Sequence, residues 1–125
     1  MIIARFDIDP VAKGRPRFGN GRTYTPAKTT RFENALKVLA RKEMKGDAPL
    51  DGALTVRISF VIKKPKTSKN NAPSVKPDLD NFLKAAFDAF NGIFWNDDAQ
   101  VCVLRAEKVY SDRGRIEVMI DQLFK

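Results

Sequence analysis

Apolar positions along this chain switch between a period of two, as in strands, and a period near 3.6, as in helices. Over residues 2–8, Ile2, Ala4, Phe6 and Ile8 alternate with Arg5 and Asp7, which predicts a half-buried strand ended by Pro10. From Val11 to Tyr24 the pattern disappears: Gly14, Pro16, Gly19, Asn20 and Gly21 break any regular period and predict a loop. Thr25 and Pro26 read as a helix start, threonine as the cap and proline where a missing N–H costs nothing. That helix is expected to reach about Lys45, with Phe32, Ala35, Leu36 and Leu39 inward and Arg31, Lys37, Arg41 and Lys42 outward. Gly46 and Pro49 end it.

Leu54, Val56, Ile58, Phe60 and Ile62 alternate with Thr55, Arg57 and Ser59, the clearest strand in the chain. Lys63 to Lys76 is polar, with Lys64, Lys66 and Lys69 among its residues and Pro65 and Pro73 as breaks, and predicts a mobile, solvated loop. Asp78 or Asp80 caps a second, short amphipathic helix; Leu83, Phe87 and Phe90 share its apolar stripe and Gly92 is the left-handed stop after Asn91. Phe82, Phe87, Phe90, Phe94 and Trp95 read first as core, and Phe82, which falls off that stripe, is also a candidate dimer contact. Two strands follow, about Ala99–Tyr110 and Arg115–Asp121, joined through Ser111, Asp112, Arg113 and Gly114 as a hairpin. The expected architecture is α/β (α+β): a small mixed four-stranded sheet with two helices on one face. Its other face needs a partner or polar side chains, which favours a dimer.

At 125 residues the chain has room for one core, so residues 1–125 are expected to form one domain. No apolar run approaches the roughly 20 residues of a membrane helix, and Asp7 and Asp9 behind Met1–Phe6 do not fit a signal peptide. The lone Cys102 has no intramolecular disulfide partner and reads as a small buried strand residue; a reducing cytoplasm fits. The absence of histidine excludes the common zinc frameworks, Ser/His/Asp and Cys/His triads, and imidazole acid–base chemistry. Carboxylates, lysine or a metal remain.

Charge sharpens this. The chain carries 23 Lys+Arg against 15 Asp+Glu, a net +8 that points to a polyanionic partner. Residues 1–76 hold 17 of those bases and 6 of the acids, net +11; residues 77–125 hold 6 and 9, net −3. Carboxylates repel phosphates unless a cation stands between them, so the acidic half does not suit a mere DNA coat. In the basic loop at about 10–24, Lys13, Arg15, Arg17 and Arg22 are candidate phosphate contacts, with Phe18 and Tyr24 placed to meet an unpaired base. Lys69 and Lys76, in the second basic loop at about 63–76, are weaker DNA candidates set against a reading as a solvated linker.

Asp78 and Asp80 open the second helix; Asp97 and Asp98 lie beyond its end. If both ends meet at one rim of the sheet, the carboxylates crowd together unless a divalent cation neutralises them. Mg²⁺ takes such hard oxygen ligands, with water and substrate phosphate completing its octahedron, and can activate water against a phosphodiester. Lys84, four residues after Asp80, shares its helix face and can stabilise charge on phosphate. The same residues also read as an N-cap, a helical ion pair and a turn before a strand. Spacing leaves both readings open.

At this segment the chain resembles the RusA family of Holliday junction resolvases, small phage and bacterial endonucleases that cut four-way DNA junctions. The family pattern is an Asp-x-Asp-Asn start, a lysine four residues after the second aspartate, an aromatic-rich helix and an Asp-Asp-Ala-Gln-Val run. It is met at Asp78, Asp80, Asn81, Lys84 and Asp97 to Val101. Lys13 to Phe18 and Thr23 to Pro26 resemble the leading portion of many members.

The resemblance implies Asp78, Asp80 and Asp98 as essential metal-binding acids, with Asp97 less favoured, and Lys84 as a catalytic lysine. It further implies Mg²⁺ with Mn²⁺ as a substitute, a symmetric homodimer and paired cuts of branched DNA in recombination and repair. Lys63 to Lys76 corresponds to a loop that varies in the family, so no contact carries over to it. A non-catalytic basic DNA-binding module and a less selective metal-dependent nuclease are the competing readings.

Overall fold

A computed structural model of the chain describes residues 1–15, 17–19 and 21–124, which leaves Pro16, Asn20, Lys125 and the side chains of Arg17 and Tyr24 outside the described residues. In chain order the elements are β1 (Ile2–Phe6), β2 (Arg17–Gly19), β3 (Arg22–Tyr24), α1 (Ala27–Met44), β4 (Leu54–Lys63), α2 (Leu79–Phe90), a 3-10 turn (Asp98–Gln100), β5 (Val101–Ser111) and β6 (Arg115–Gln122). The main sheet has the order β1-β6-β4-β5. β4 lies parallel to β5 and antiparallel to β6, so Ile58 stands between Ala106 and Val118; β1 is antiparallel to β6.

The alternation in β4 explains its place, since Leu54, Val56, Ile58 and Phe60 are all buried beneath the helices. α1 packs Phe32, Leu36, Ala40 and Met44 onto that face, and α2 packs Phe82, Ala85, Ala86, Ala89 and Phe90. Ala85, Ala86 and Ala89 are fully buried, and α2 also packs against α1. Phe82 stacks on Phe60 with ring centroids 5.4 Å apart, and Phe90 contacts Phe6, Phe94 and Trp95 at 6.1, 4.8 and 5.9 Å. Such pairs each contribute about 0.5–1.5 kcal/mol beyond their buried area.

Several expectations are corrected. β5 and β6 do not form a hairpin: the turn after Ser111 carries the chain across the end of β4, and β6 pairs on β4's other edge. The strongly apolar β4 thereby takes a fully paired interior position. The 11–24 segment is not all loop, because β2 and β3 form a small hairpin with Phe18 opposite Thr23 and Gly21 at φ 74°. The Asn-Gly pair at 20–21 is the sequence signal for it. The N-cap of α1 is Pro26 rather than Thr25, without a side-chain hydrogen bond. Ala35 is exposed, since the buried stripe of α1 steps through residues 32, 36, 40 and 44.

Phe82 is buried against Phe60, in keeping with its first reading as core rather than with the alternative of a dimer contact. Cys102 is exposed because β5 begins with a bulge: Val101 faces Leu54 and Val103 faces Thr55, which leaves Cys102 out of register on an edge strand. The outer face of the sheet is mainly polar, with Arg5, Arg57, Ser59, Glu107 and Glu117 across it, and Ser59 donates to Glu107 at 2.6 Å. Exposed Ile3 and Val103 share that face. Among the described residues no helix is long and apolar enough to cross a membrane.

Candidate active site

α2 turns its alanines to the sheet, and helical periodicity then places Asp80, Lys84 and Asp88 in one stripe on its other side. That stripe forms one wall of an open groove of about 930 Å³. Asp98 and Cys102 line it from the start of β5, and Lys13 and Arg15 from the basic loop. Two segments separated by a helix, and a third from the far end of the chain, thus meet along α2.

Asp80 is exposed in the first turn of α2, and its carboxylate has no hydrogen bond or ion pair among the described residues. Lys84 is exposed one turn on, and no ion pair joins it to Asp80, so both remain available to a ligand. Asp78 is the N-cap residue of α2 by backbone geometry, but its side chain makes no capping bond and does not line the groove. Lys108 on β5 staples the run just before it, donating to Val75 and Pro77 carbonyls at 2.7 and 2.9 Å. The entry to α2 is thereby fixed to the sheet.

The second acidic pair divides its work. Asp97 caps the 3-10 turn: its carboxylate accepts from the Ala99 N–H at 3.3 Å, and Gln100 Oε1 returns to the backbone N–H groups of Asn96 and Asp97. Gln100 Nε2 also donates to the Leu50 and Gly52 carbonyls, anchoring the turn. Asp98 is left facing the groove. Its Oδ2 accepts from Asn91 Nδ2 at 3.3 Å, and Asn91 Oδ1 accepts from the buried Trp95 Nε1 at 2.6 Å. A core tryptophan therefore orients the amide that orients the acid.

Lys13, expected to contact phosphate, has two carboxylate partners instead: Glu33 at 2.9 Å and Asp88 at 3.0 Å. Burial alone would lower its pKa, but the hydrogen bonds and charges of Glu33 and Asp88 outweigh that and hold it above the ordinary lysine value. Its backbone N–H donates to the Asn81 carbonyl at 2.8 Å. Gly14 donates to Thr29 Oγ1 at 3.0 Å, and a Cβ on Gly14 would meet Pro26 at 2.8 Å. The basic loop is thus pinned between the helices, and Arg15 emerges exposed beside the groove. Arg22 on β3, and Lys69 and Lys76 before α2, are also exposed but lie outside this groove's lining.

The bracing roles of Asn91, Trp95, Gln100 and Lys108, and the two acids that pair with Lys13, are not legible in the sequence. Only Gln100 left a local sign, three residues after a capping aspartate.

A hard cation fits the donor chemistry. The groove offers carboxylate oxygens on Asp80 and on Asp98, in an opening wide enough for water and phosphate. Asp80 stands at the N-terminal end of α2 and Asp98 beside Asn91 past its C-terminus, and among the described residues no three metal-ligating side chains converge. Each end of α2 therefore offers one groove carboxylate, within the one or two that Mg²⁺ commonly takes from protein.

The family model described as Endodeoxyribonuclease RusA matches residues 7–121. An uncharacterised Bacillus subtilis protein, YqaN, is 31% identical over 92% of this chain and 92% of its own length. The crossover junction endodeoxyribonuclease RusA of Escherichia coli K12 is 30% identical over 86% of this chain and 82% of its own. A crossover junction endodeoxyribonuclease of Lactococcus phage r1t is 34% identical over 56% of this chain and 53% of its own. With its groove acids and lysine inside a match that spans nearly the whole chain, the protein belongs to the RusA family of endodeoxyribonucleases.

Proposed function

We propose that residues 1–125 act as one structure-selective endodeoxyribonuclease unit that resolves four-way DNA junctions by paired, symmetric phosphodiester cleavage, with Mg²⁺ as cofactor, Mn²⁺ as a substitute, and a homodimer as the working form. The observation that carries this reading is the groove lined by Asp80 and Lys84, without partners among the described residues, and by the oriented Asp98. Asp80 and Asp98 would each supply a carboxylate to a cation, from the two ends of α2, and Asp78, two residues before Asp80, is an outer acid beyond the groove's lining. Bound there, the cation supplies Lewis acidity toward a phosphate oxygen and a water nucleophile at neutral pH.

Lys84 places its ammonium beside the phosphate, where negative charge grows on the non-bridging oxygens during attack. Asn91 keeps Asp98 turned to the groove. Arg15, Arg17, Arg22, Lys69 and Lys76 hold the arms of the junction through phosphate contacts, each of which releases counterions and steepens the salt dependence. Bacterial and phage relatives and the exposed free Cys102 suit a reducing cytoplasm.

A labelled four-way junction and a matched linear duplex, each incubated with and without Mg²⁺, test this reading beside Lys84→Met. The expected result is symmetric, Mg²⁺-dependent cutting of the junction alone, with Lys84→Met slowed about 10²-fold while its affinity for DNA changes little. Binding without cleavage, or equal cutting of duplex, would overturn it.

A further inference from the structure

On the far side of the Gly14–Arg15 wall lies a second pocket of about 910 Å³ that the cleavage chemistry does not use. Its floor is apolar: Val11, Ile62, Pro73, Phe82 and Tyr110 converge there from the loop root, β4, the lysine-rich loop, α2 and β5. Its rim is basic, with Arg15, Lys28, Lys63 and Lys76 around the mouth. The single acid in the lining, Asp9, rests its carboxylate against Gly114. The volume is within the range of small-molecule sites.

An apolar floor alone would suit many occupants. A rim of four cations around it selects a flat apolar group flanked by anions, which is the chemistry of a nucleotide: a base for the floor and adjoining phosphates for the rim. Position agrees with this. The first turn of α2 separates the two hollows, with Pro77 and Phe82 lining one and Asp80 and Asn81 the other, and Arg15 borders both. A DNA strand whose phosphate lies in the groove crosses Arg15 to reach the second pocket.

Resting on the junction-cutting reading above, we propose that this pocket seats one nucleotide extruded from the branch point of the junction while a phosphate of the same strand occupies the acidic groove. Stacking is already interrupted at a branch, so a base there is removed at less cost than one inside a continuous duplex. Selection for branched DNA then lies in this pocket and hydrolysis in the groove.

The test uses four-way junctions carrying 2-aminopurine either at the branch point or well inside one arm, titrated with the Asp80→Asn protein so that DNA is bound without being cut. Emission from the branch-point probe is expected to change on binding, and emission from the arm probe to stay constant. Val75→Trp, which fills the exposed mouth, and Lys28→Glu, which reverses one rim charge, are expected to remove that change and weaken junction binding about tenfold, leaving duplex binding within about twofold. Tight junction binding with a silent branch-point probe, or a change that persists in Val75→Trp, would overturn the pocket and leave the cleavage reading standing. Failure of the Asp80→Asn protein to bind the junction would remove both. If Val75→Trp instead sediments as a smaller species than wild type, the pocket belongs to a second copy of the chain and the nucleotide is excluded.

Discussion

The acid pair that opens α2 and the pair beyond its end have nearly the same composition and opposite construction. Asp97 and Asp98 sit in a lattice of hydrogen bonds: Asp97 closes a capping box with Gln100, and Asp98 is gripped by Asn91, itself fixed by Trp95. Asp78 and Asp80 have no side-chain partner among the described residues, and only the backbone around them is held, by Lys108 and by the Lys13–Asn81 contact. One pair is oriented by protein and the other is held only through its backbone. In each pair one member lines the groove, Asp80 or Asp98, and its neighbour does not.

The strongest challenge to that comparison is to neutralise each acid of the open pair in turn. Asp80→Asn is expected to slow junction cleavage about 10³-fold, equivalent to roughly 4 kcal/mol of transition-state stabilisation, with junction affinity changed only a fewfold. Asp78→Asn is expected to fall well short of that in single-turnover cleavage at saturating Mg²⁺, because its carboxylate does not line the groove in the free protein. Equal losses would show that the first turn of α2 rearranges on DNA, bringing Asp78 in beside Asp80.

A smaller effect tests the pre-oriented pair. Asn91→Asp keeps the oxygen that accepts from Trp95 Nε1 but replaces the amide donor to Asp98 with a second carboxylate. Cleavage is expected to fall about 10- to 100-fold, as for other residues that orient a ligand, with a melting temperature close to wild type. Asp97→Ala should do the reverse. Losing the capping box costs about 1 kcal/mol of stability, while cleavage drops less than tenfold. If Asp97→Ala proves the more damaging to cleavage, the division of labour within the pair is wrong.

These contrasts also mark how far sequence alone reaches. β4, α1 and α2 announce themselves because alternation and helical stripes are local consequences of burial, and Asp80, Lys84 and Asp98 stand out by spacing within 19 residues of chain. The placement of β6 across β4, rather than beside β5, leaves no comparable trace, since it depends on which strand is most apolar overall. The ion pairs of Lys13 are hidden from sequence for a related reason. Its neighbours in sequence are basic, whereas its partners Glu33 and Asp88 come from two helices, 20 and 75 residues further on. A positive loop looks like a DNA contact until the fold supplies the acids.

Lys13 accordingly gives the gentlest test of how the groove is held. The side chain ties the basic loop to both helices, so Lys13→Met is expected to leave Glu33 and Asp88 without their shared cation, at a cost of about 1–2 kcal/mol in urea unfolding at neutral pH. Because the folded-state pKa of Lys13 lies above its unfolded value, the charged form is favoured by folding, and its contribution is complete below the unfolded value. The gap in stability between wild type and Lys13→Met should therefore stay constant from pH 6 to about pH 9 and close only as the pH climbs past the ordinary lysine value of 10.5. A phosphate-gripping lysine would behave otherwise: its loss would leave stability untouched and flatten the salt dependence of junction binding by about one counterion. An unchanged unfolding midpoint together with a flattened salt slope would return Lys13 to the DNA interface and leave Arg15 without the tether that sets it between the two hollows.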